Sequence, residues 1–209
     1  MRSLCEALRG LELKTYSGQT IIPHNLLNQT LTAGAINDLL SGNEFQRAFY
    51  KRDELTQLLL NGGKKTIAVL LLIQRPISIL KFLERDMLQD LDSRLPLTVD
   101  ELGQILEDDR DAEEFYQTQW SVLAPILQKN RSHRIFEENT PLPYVKSEPV
   151  AKGGYGNIFK VTILPAHQQL VNVDPDGNVC IHLWLNSDFR IMARRENGGE
   201  LDIEAGLTL

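Results

Sequence analysis

The amino-acid sequence predicts an α+β fold, with a helical amino-terminal region followed by a small antiparallel hairpin or sheet. Between Leu31 and about Pro125 the apolar residues recur at spacings of three and four, which is typical of helices. Beyond Pro143 they alternate with polar residues, which is typical of strands. The polar stretch between these parts ends in the stiff connector Thr140–Pro143. We therefore predict a helical region over 1–139, a sheet-forming region over 140–185 and a flexible tail over 186–209.

Composition narrows the class of protein. The chain has 209 residues, of which 42% are hydrophobic and 24% charged, so it is long enough to bury a core in one domain or two small ones. Its formal net charge of −6 gives no basic excess to offset phosphate, which argues against nucleic acid as a partner. Cys5 and Cys180 lie far apart, and the histidines show no metal-ligand spacing. We predict neither a disulfide framework nor a metal site.

The longest apolar run, Ile67–Ile73, is far shorter than the roughly 20 residues that a membrane helix needs. We interpret it as a buried core segment. At the amino terminus Glu6 interrupts what would have to be the apolar part of a secretory signal. We therefore expect an intracellular protein, in the cytoplasm or the nucleus, without a membrane partner.

Helix signals follow one another along the first region. Thr32 can cap a helix that runs to Leu40 and ends at Ser41–Asn43. A second helical segment stops at Asn61–Gly63, directly before the apolar core segment. Pro76 then interrupts or starts a helix.

A later helix is predicted to begin at about Val99. The acidic run from Glu107 to Glu114 could hold paired carboxylates, but such pairs do acid–base chemistry only where burial separates their pKa values. We interpret the run as a solvated helix face. Phe115 and Trp120 then belong to the apolar side of the same or the next helix.

The carboxyl-terminal part reads as strand, turn, strand. Tyr144–Val150 and Ile158–Ile163 flank a glycine-rich loop, and Asp174–Asn178 is a turn before a third strand candidate, Val179–Leu185. The glycines Gly153, Gly154 and Gly156 would let a backbone approach phosphate oxygens with no Cβ in the way. A dinucleotide-binding fingerprint would lead into a helix and a Walker loop would need Gly-Lys-Ser/Thr, so neither pattern fits.

Strand, glycine loop and strand together resemble the phosphate-covering loop of protein kinases, G-x-G-x-x-G-x-V. Ala151 stands where that pattern has its first glycine. The resemblance implies a nucleotide-binding set that begins with Val150, the aliphatic residue before the loop. Gly153 and Gly156 take the places of the second and third glycines, with Gly154 at the intervening position and Tyr155 at the aromatic tip. Ile158 takes the place of the aliphatic residue that contacts adenine.

The order of segments resembles the protein-kinase-domain-containing proteins of filamentous fungi. The matching segments are GGKKTIAVLLLI, FYQTQWSVLAPIL, PLPYV, GGYGNIFKV and TILPAHQ, within Thr32 to Gln169. That family implies ATP binding, with Mg²⁺ accompanying the nucleotide, and phosphoryl transfer to serine or threonine.

The kinase pattern is incomplete in this chain. The third strand candidate reads V-C-I-H where the family has V-A-I-K, which puts His182 at the lysine position, and no H-R-D, D-F-G or A-P-E segment occurs. Each charge-stabilising group is worth a rate factor of roughly 10³ or more. We therefore predict no catalytic residue and expect a truncated kinase-like protein that is inactive as this chain.

Two other functions remain open from the sequence. In one, the helical region is a non-enzymatic module that binds a protein partner, and the hairpin is vestigial. In the other, the chain is a residual nucleotide-binding pseudokinase fragment.

Overall fold

The computed structural model describes residues 2–43, 45, 51–84, 90–128, 134–153, 156–169, 180–186, 191–194, 200–201 and 205–207. It confirms an α+β fold with the helices first. The chain divides into two compact units. A helical unit contains Met1–Glu12 and Ile22–Leu123, and a sheet unit contains Leu13–Ile21 and Ala124–Leu209.

The helices of the helical unit lie in its two stretches of chain, one before and the others after the segment Leu13–Ile21. Over the described residues these are α1 (Arg2–Arg9), α2 (His24–Thr30), α3 (Ala33–Leu40), α4 (Arg52–Gly62), α5 (Lys64–Leu72), α6 (Ile79–Glu84), α7 (Val99–Leu106) and α8 (Asp109–Gln119). Short 3₁₀ turns cover Pro76–Ser78, Leu91–Arg94 and Trp120–Val122. No helix in the described part of the chain is long and apolar enough to cross a membrane.

Helix starts that the sequence predicted from local signals are confirmed. The Thr32 hydroxyl accepts a hydrogen bond from the Ala35 amide at 3.2 Å and caps α3. Helix α7 begins at Val99 with a capping box between Thr98 and Glu101. Pro76 opens the 3₁₀ turn that leads into α6, where its missing N–H leaves no bond unmade.

The apolar segment is the central helix of this unit. From Thr66 to Leu72 every side chain of α5 is buried, as expected for a helix that is hydrophobic all round. Both ends of α5 receive hydrogen bonds from distant side chains. Asp92 accepts from the amides of Lys65 and Thr66, each at 2.9 Å, and Arg9 donates to the Leu72 carbonyl at 3.0 Å. These bonds satisfy terminal groups that the helix cannot pair itself.

Two glycines let the turn that carries Asp92 approach α5. A Cβ on Gly62 would lie 2.8 Å from the Cα of Asp90, and a Cβ on Gly63 would lie 2.9 Å from Leu59 Cδ2. Side chains at these positions would therefore push the Leu91–Arg94 turn away. The sequence predicted only a helix stop here, but the glycines also permit this close packing.

The acidic run forms the start of α8. Asp108 caps the helix by accepting from the Asp111 amide at 2.8 Å, and Asp111 accepts from Arg75 Nε at 2.9 and 3.0 Å. Glu113 and Glu114 are exposed, while Phe115 is buried on the opposite side. The interpretation of the run as a solvated helix face is confirmed for the exposed members.

The sheet unit is built around an antiparallel sheet of five strands. The strands of this unit are β1 (Leu13–Lys14), β2 (Thr20–Ile21), β3 (Leu127–Gln128), β4 (Arg134–Phe136), β5 (Tyr144–Gly153), β6 (Gly156–Ile163), β7 (Gln168–Gln169), β8 (Cys180–Asn186), β9 (Ile191–Arg194), β10 (Glu200–Leu201) and β11 (Ala205–Leu207). The sheet order is β10-β9-β8-β6-β5. Strand β1 pairs antiparallel with β2, whereas β3 pairs parallel with β7 and β11 parallel with β4.

The units do not follow the divisions drawn from the sequence at residues 139 and 185. The structural division falls after Leu123, and Leu13–Ile21 belongs to the sheet unit. The amide of Tyr16 donates to the Tyr144 carbonyl at 2.6 Å, and Gln19 Nε2 donates to the Asn139 carbonyl at 3.2 Å. The segment over 186–209, expected to be a flexible tail, contributes the strands β9 to β11 in its described residues. The bonds from Tyr16 and Gln19 join residues that are far apart in the sequence, so local texture does not reveal them.

Candidate phosphate-binding hairpin

The glycines lie at the closed end of a β-hairpin. Gly153, the last residue of β5, pairs with Gly156, the first residue of β6. Gly154 and Tyr155 connect them and lie outside the described residues. Strands therefore flank the glycines on both sides, which is the backbone context that the kinase-like interpretation requires and that a strand-to-helix nucleotide loop lacks.

The pairing brings most of the predicted set to the two strand ends. Val150 lies in β5 where the register shifts between Pro149 and Ala151, which marks a bulge. Ile158 lies in β6 opposite Ala151 on one side and Trp184 of β8 on the other. Gly153, Gly156 and Ile158 are thus placed by backbone pairing and Val150 by its position at the bulge of β5, while Gly154 and Tyr155 fall outside the described residues.

The third strand confirms the strand predicted over Val179–Leu185, with bounds Cys180–Asn186. Its register places His182 opposite Lys160 and Trp184 opposite Ile158. His182, which the resemblance aligns with the kinase lysine, therefore does not lie opposite Ile158, which it aligns with the residue that contacts adenine.

One row of the sheet holds an ionisable residue on every strand. Glu148 pairs with Lys160, Lys160 with His182, His182 with Arg194, and Arg194 with Glu200. Directly opposite residues of antiparallel strands share a face of the sheet. The sequence analysis did not find this row, because it exists only through the register of separate strands. The row places Lys160, His182 and Arg194 on the three neighbouring central strands β6, β8 and β9.

The open end of the hairpin is fixed by buried residues. Tyr144 pairs with Ile163, and both are buried together with Val161. The Leu164 amide donates to the Pro143 carbonyl at 3.1 Å, which closes the strands at this end. Apolar burial here stabilises the base of the hairpin.

Tyr144 is a residue that sequence reasoning did not single out. Its hydroxyl is buried and has no hydrogen-bond partner among the described residues. Burial raises the pKa of the Tyr144 phenol above its ordinary value, because desolvation disfavours the phenolate. The group therefore stays neutral, and nothing in the alternation of β5 could have revealed its burial.

Metal ligands do not gather in the described part of the chain. Within it, no three His, Cys, Asp or Glu side chains are placed to hold a metal ion. The Mg²⁺ that the kinase resemblance implies would arrive with the nucleotide, since Mg²⁺ keeps phosphate and water oxygens as ligands.

Comparison with known proteins gives no match: no family model, no curated protein and no solved structure corresponds to this chain. Functional assignments accordingly depend on the residues themselves.

Proposed function

We propose that the β5–β6 hairpin binds the phosphates of Mg·ATP through main-chain amides at its glycine end. The observation that carries this proposal is the pairing of Gly153 with Gly156 across a connection that contains only Gly154 and Tyr155. Without a Cβ on these glycines, phosphate oxygens can approach the backbone and accept hydrogen bonds from its N–H groups.

The surrounding positions support a nucleotide rather than a simple anion. Val150 and Ile158 are aliphatic and lie on the two strands close to the glycines, where the kinase resemblance expects contacts to adenine. Lys160 follows two residues beyond Ile158 on β6. The proposal concerns binding and not phosphoryl transfer, because the H-R-D and D-F-G segments that supply the base and the metal ligand do not occur in this sequence.

The test is a titration of the full chain with Mg·ATP, followed by calorimetry and thermal unfolding. A ligand at 100 times its Kd should raise the free energy of unfolding by about 2.7 kcal/mol. Inorganic tripolyphosphate should give a smaller shift than Mg·ATP, because it lacks the adenine that Val150 and Ile158 would contact. Adenosine should give little shift, because it lacks the phosphates that the glycine end would bind. Gly154→Asp should weaken Mg·ATP binding by placing a negative charge beside the phosphates.

The matched control is Gly103→Ala, which changes a glycine in the helical unit and should leave the Kd for Mg·ATP unchanged. Circular dichroism confirms that each variant folds. Absence of any shift at millimolar Mg·ATP contradicts the proposal, and so does an unchanged Kd in both Gly154→Asp and a folded Gly156→Val variant.

A second candidate function places binding in the helical unit, which would act as a protein-interaction module with a vestigial hairpin. A groove of about 410 Å³ between helices of this unit favours it. The two candidates are independent, since each uses residues of a different unit.

A further inference from the structure

The groove is bordered by helices α1 and α3. Its lining residues are Ser3, Leu4 and Ala7 of α1, Thr30 of α2, and Ala35, Asp38 and Leu39 of α3. A cavity of this size lies within the range of roughly 300–1,000 Å³ that binding sites occupy. All of its lining residues belong to the helical unit.

Small side chains keep the groove open. Ser3 and Ala7 are exposed and lie one turn apart on α1, whereas Cys5 and Leu8 of the same helix are buried. On α3, Ala35 lines the groove one turn before the buried Leu39, which forms part of its floor. Because the rim side chains are short, no ridge formed by the described residues of this unit fills the space between the two helices.

The groove therefore offers an apolar floor with a low rim, a surface that matches the ridge of a third helix. Recognition of this kind reads apolar anchors at i, i+3, i+4 and i+7 on an amphipathic helix. Leu4 and Leu39 would contact those anchors, and the short Ala7 would let the incoming backbone come close.

Charge specifies the partner further. Among the lining residues that the structure describes, Asp38 alone is charged; it is exposed, and no ion pair to it occurs within that part of the chain. On α1, Arg9 already donates to the Leu72 carbonyl. A cationic side chain on an incoming helix would complement Asp38, and an anionic one would be repelled.

We infer that this groove binds an amphipathic helix of a partner protein, which inserts an apolar ridge between α1 and α3 and directs one Arg or Lys to Asp38. The inference rests on the second proposed function and names the class of partner for it. It does not depend on nucleotide binding by the hairpin.

The test uses a displayed library of helical peptides of about 20 residues, long enough for helix formation. The library varies the apolar ridge and places Arg, Gln or Glu beside it, and it is selected on the full chain. Enriched peptides should carry an apolar ridge with Arg beside it. Their Kd, measured by fluorescence anisotropy, should rise roughly fivefold to tenfold in Asp38→Lys, and matched peptides with Glu should then bind better.

Ala7→Trp and Ser3→Trp fill the groove with a large side chain and should therefore abolish peptide binding. Both positions are exposed, so neither substitution should prevent folding. Glu114→Lys makes the same change of charge on an exposed face of α8 and should leave the Kd unchanged.

Each other outcome overturns the inference in a distinguishable way. If peptides bind the groove without preference for a cation, the helical unit still acts as an interaction module, but the proposed class of partner is wrong. If no selected peptide is sensitive to Ala7→Trp, both the interaction module and the class of partner are wrong. Dimerisation of the chain that Ala7→Trp abolishes would instead identify a second copy as the occupant.

Discussion

At the residue scale, glycines in this chain have opposite effects on stability. Gly103 lies inside α7, and a Cβ there would meet no atom within 4 Å. Glycine in a helix interior costs about 0.5–1 kcal/mol relative to alanine. Gly103→Ala should therefore raise the free energy of unfolding by about that amount, measured by urea denaturation followed by circular dichroism.

Gly62→Ala is the contrasting variant, because its Cβ would lie 2.8 Å from backbone of Asp90. It should lower stability despite the better helix propensity of alanine. A Gly62→Ala protein as stable as Gly103→Ala would show that the turn does not pack against α4 as described.

His24 predicts a pH dependence. Partial desolvation of the His24 side chain, which is exposed at the surface, and then repulsion from Lys65 and Lys64 lower the pKa of His24 below its ordinary value of 6.5. The unfolded chain then binds the proton more tightly than the folded chain, so protonation favours unfolding. The contribution of His24 to stability is complete above pH 6.5 and is lost as the pH falls towards its lower folded-state pKa.

The measurement is urea denaturation of the native protein and His24→Gln between about pH 7.5 and pH 5. His24→Gln should lose less stability over this interval, because its amide does not titrate. Equal slopes for the two proteins would contradict the expectation.

At the scale of the element, the ends of α5 show what the sequence could not predict. Starts such as those of α3 and α7 depend on Thr32 and Thr98, whose partners are three residues away, so a local pattern reveals them. The ends of α5 depend on Asp92 and Arg9, which are distant in sequence. The apolar run showed that the segment is buried, but only the fold shows what satisfies its terminal amides and carbonyls.

Asp92→Ala should lower the free energy of unfolding by about 1–2 kcal/mol, because the amides of Lys65 and Thr66 lose their acceptor. Urea denaturation followed at the helical circular dichroism band measures the change. Asp100→Ala removes an exposed acidic residue from the first turn of α7. It should lower the free energy of unfolding by only a few tenths of the loss expected for Asp92→Ala. Equal losses in the two variants would argue against a capping role for Asp92.

The candidate hairpin was predictable in outline for a different reason. Alternating apolar residues on both sides of closely spaced glycines favour a hairpin, and the strands β5 and β6 confirm it. The register of β8 was not predictable, because β8 begins well beyond the end of β6 in the sequence and no local pattern sets which of their residues pair. The opposition of Ile158 and Trp184 and the row through Lys160 follow from that register alone.

At the scale of the whole molecule, a segment near the start of the sequence, Leu13–Ile21, belongs to the sheet unit, whose other residues begin only at Ala124. Ile21 is buried and belongs to the sheet unit, while Leu8 is buried in the helical unit. The β1–β2 hairpin turns at Ser17 and Gly18, where Gly18 has a φ of 83°, and the sequence analysis did not predict it. Its membership of the sheet unit depends on bonds to residues near 140, which no local signal predicts.

This membership gives a prediction for hydrogen exchange. Ile21→Ala should speed amide exchange in β5 and β6 more than in α5, and Leu8→Ala should do the reverse. Each substitution removes a buried aliphatic side chain, at a cost of about 2–5 kcal/mol. Mass spectrometry of peptides after native-state exchange measures both. If Ile21→Ala speeds exchange in α5 and leaves β5 unchanged, the assignment of Leu13–Ile21 to the sheet unit is wrong.

The hydrogen bond between Gln19 and Asn139 joins residues 120 positions apart. During translation, at about 5–20 residues per second, the early hairpin would wait on the order of ten seconds for its partner to leave the ribosome. Throughout that interval the helices in between can assemble, whereas Ile21 has no completed core to enter. The nascent chain should therefore depend on chaperones most strongly while Leu13–Ile21 is without its partner, and this dependence should end once the residues near Asn139 have been synthesised.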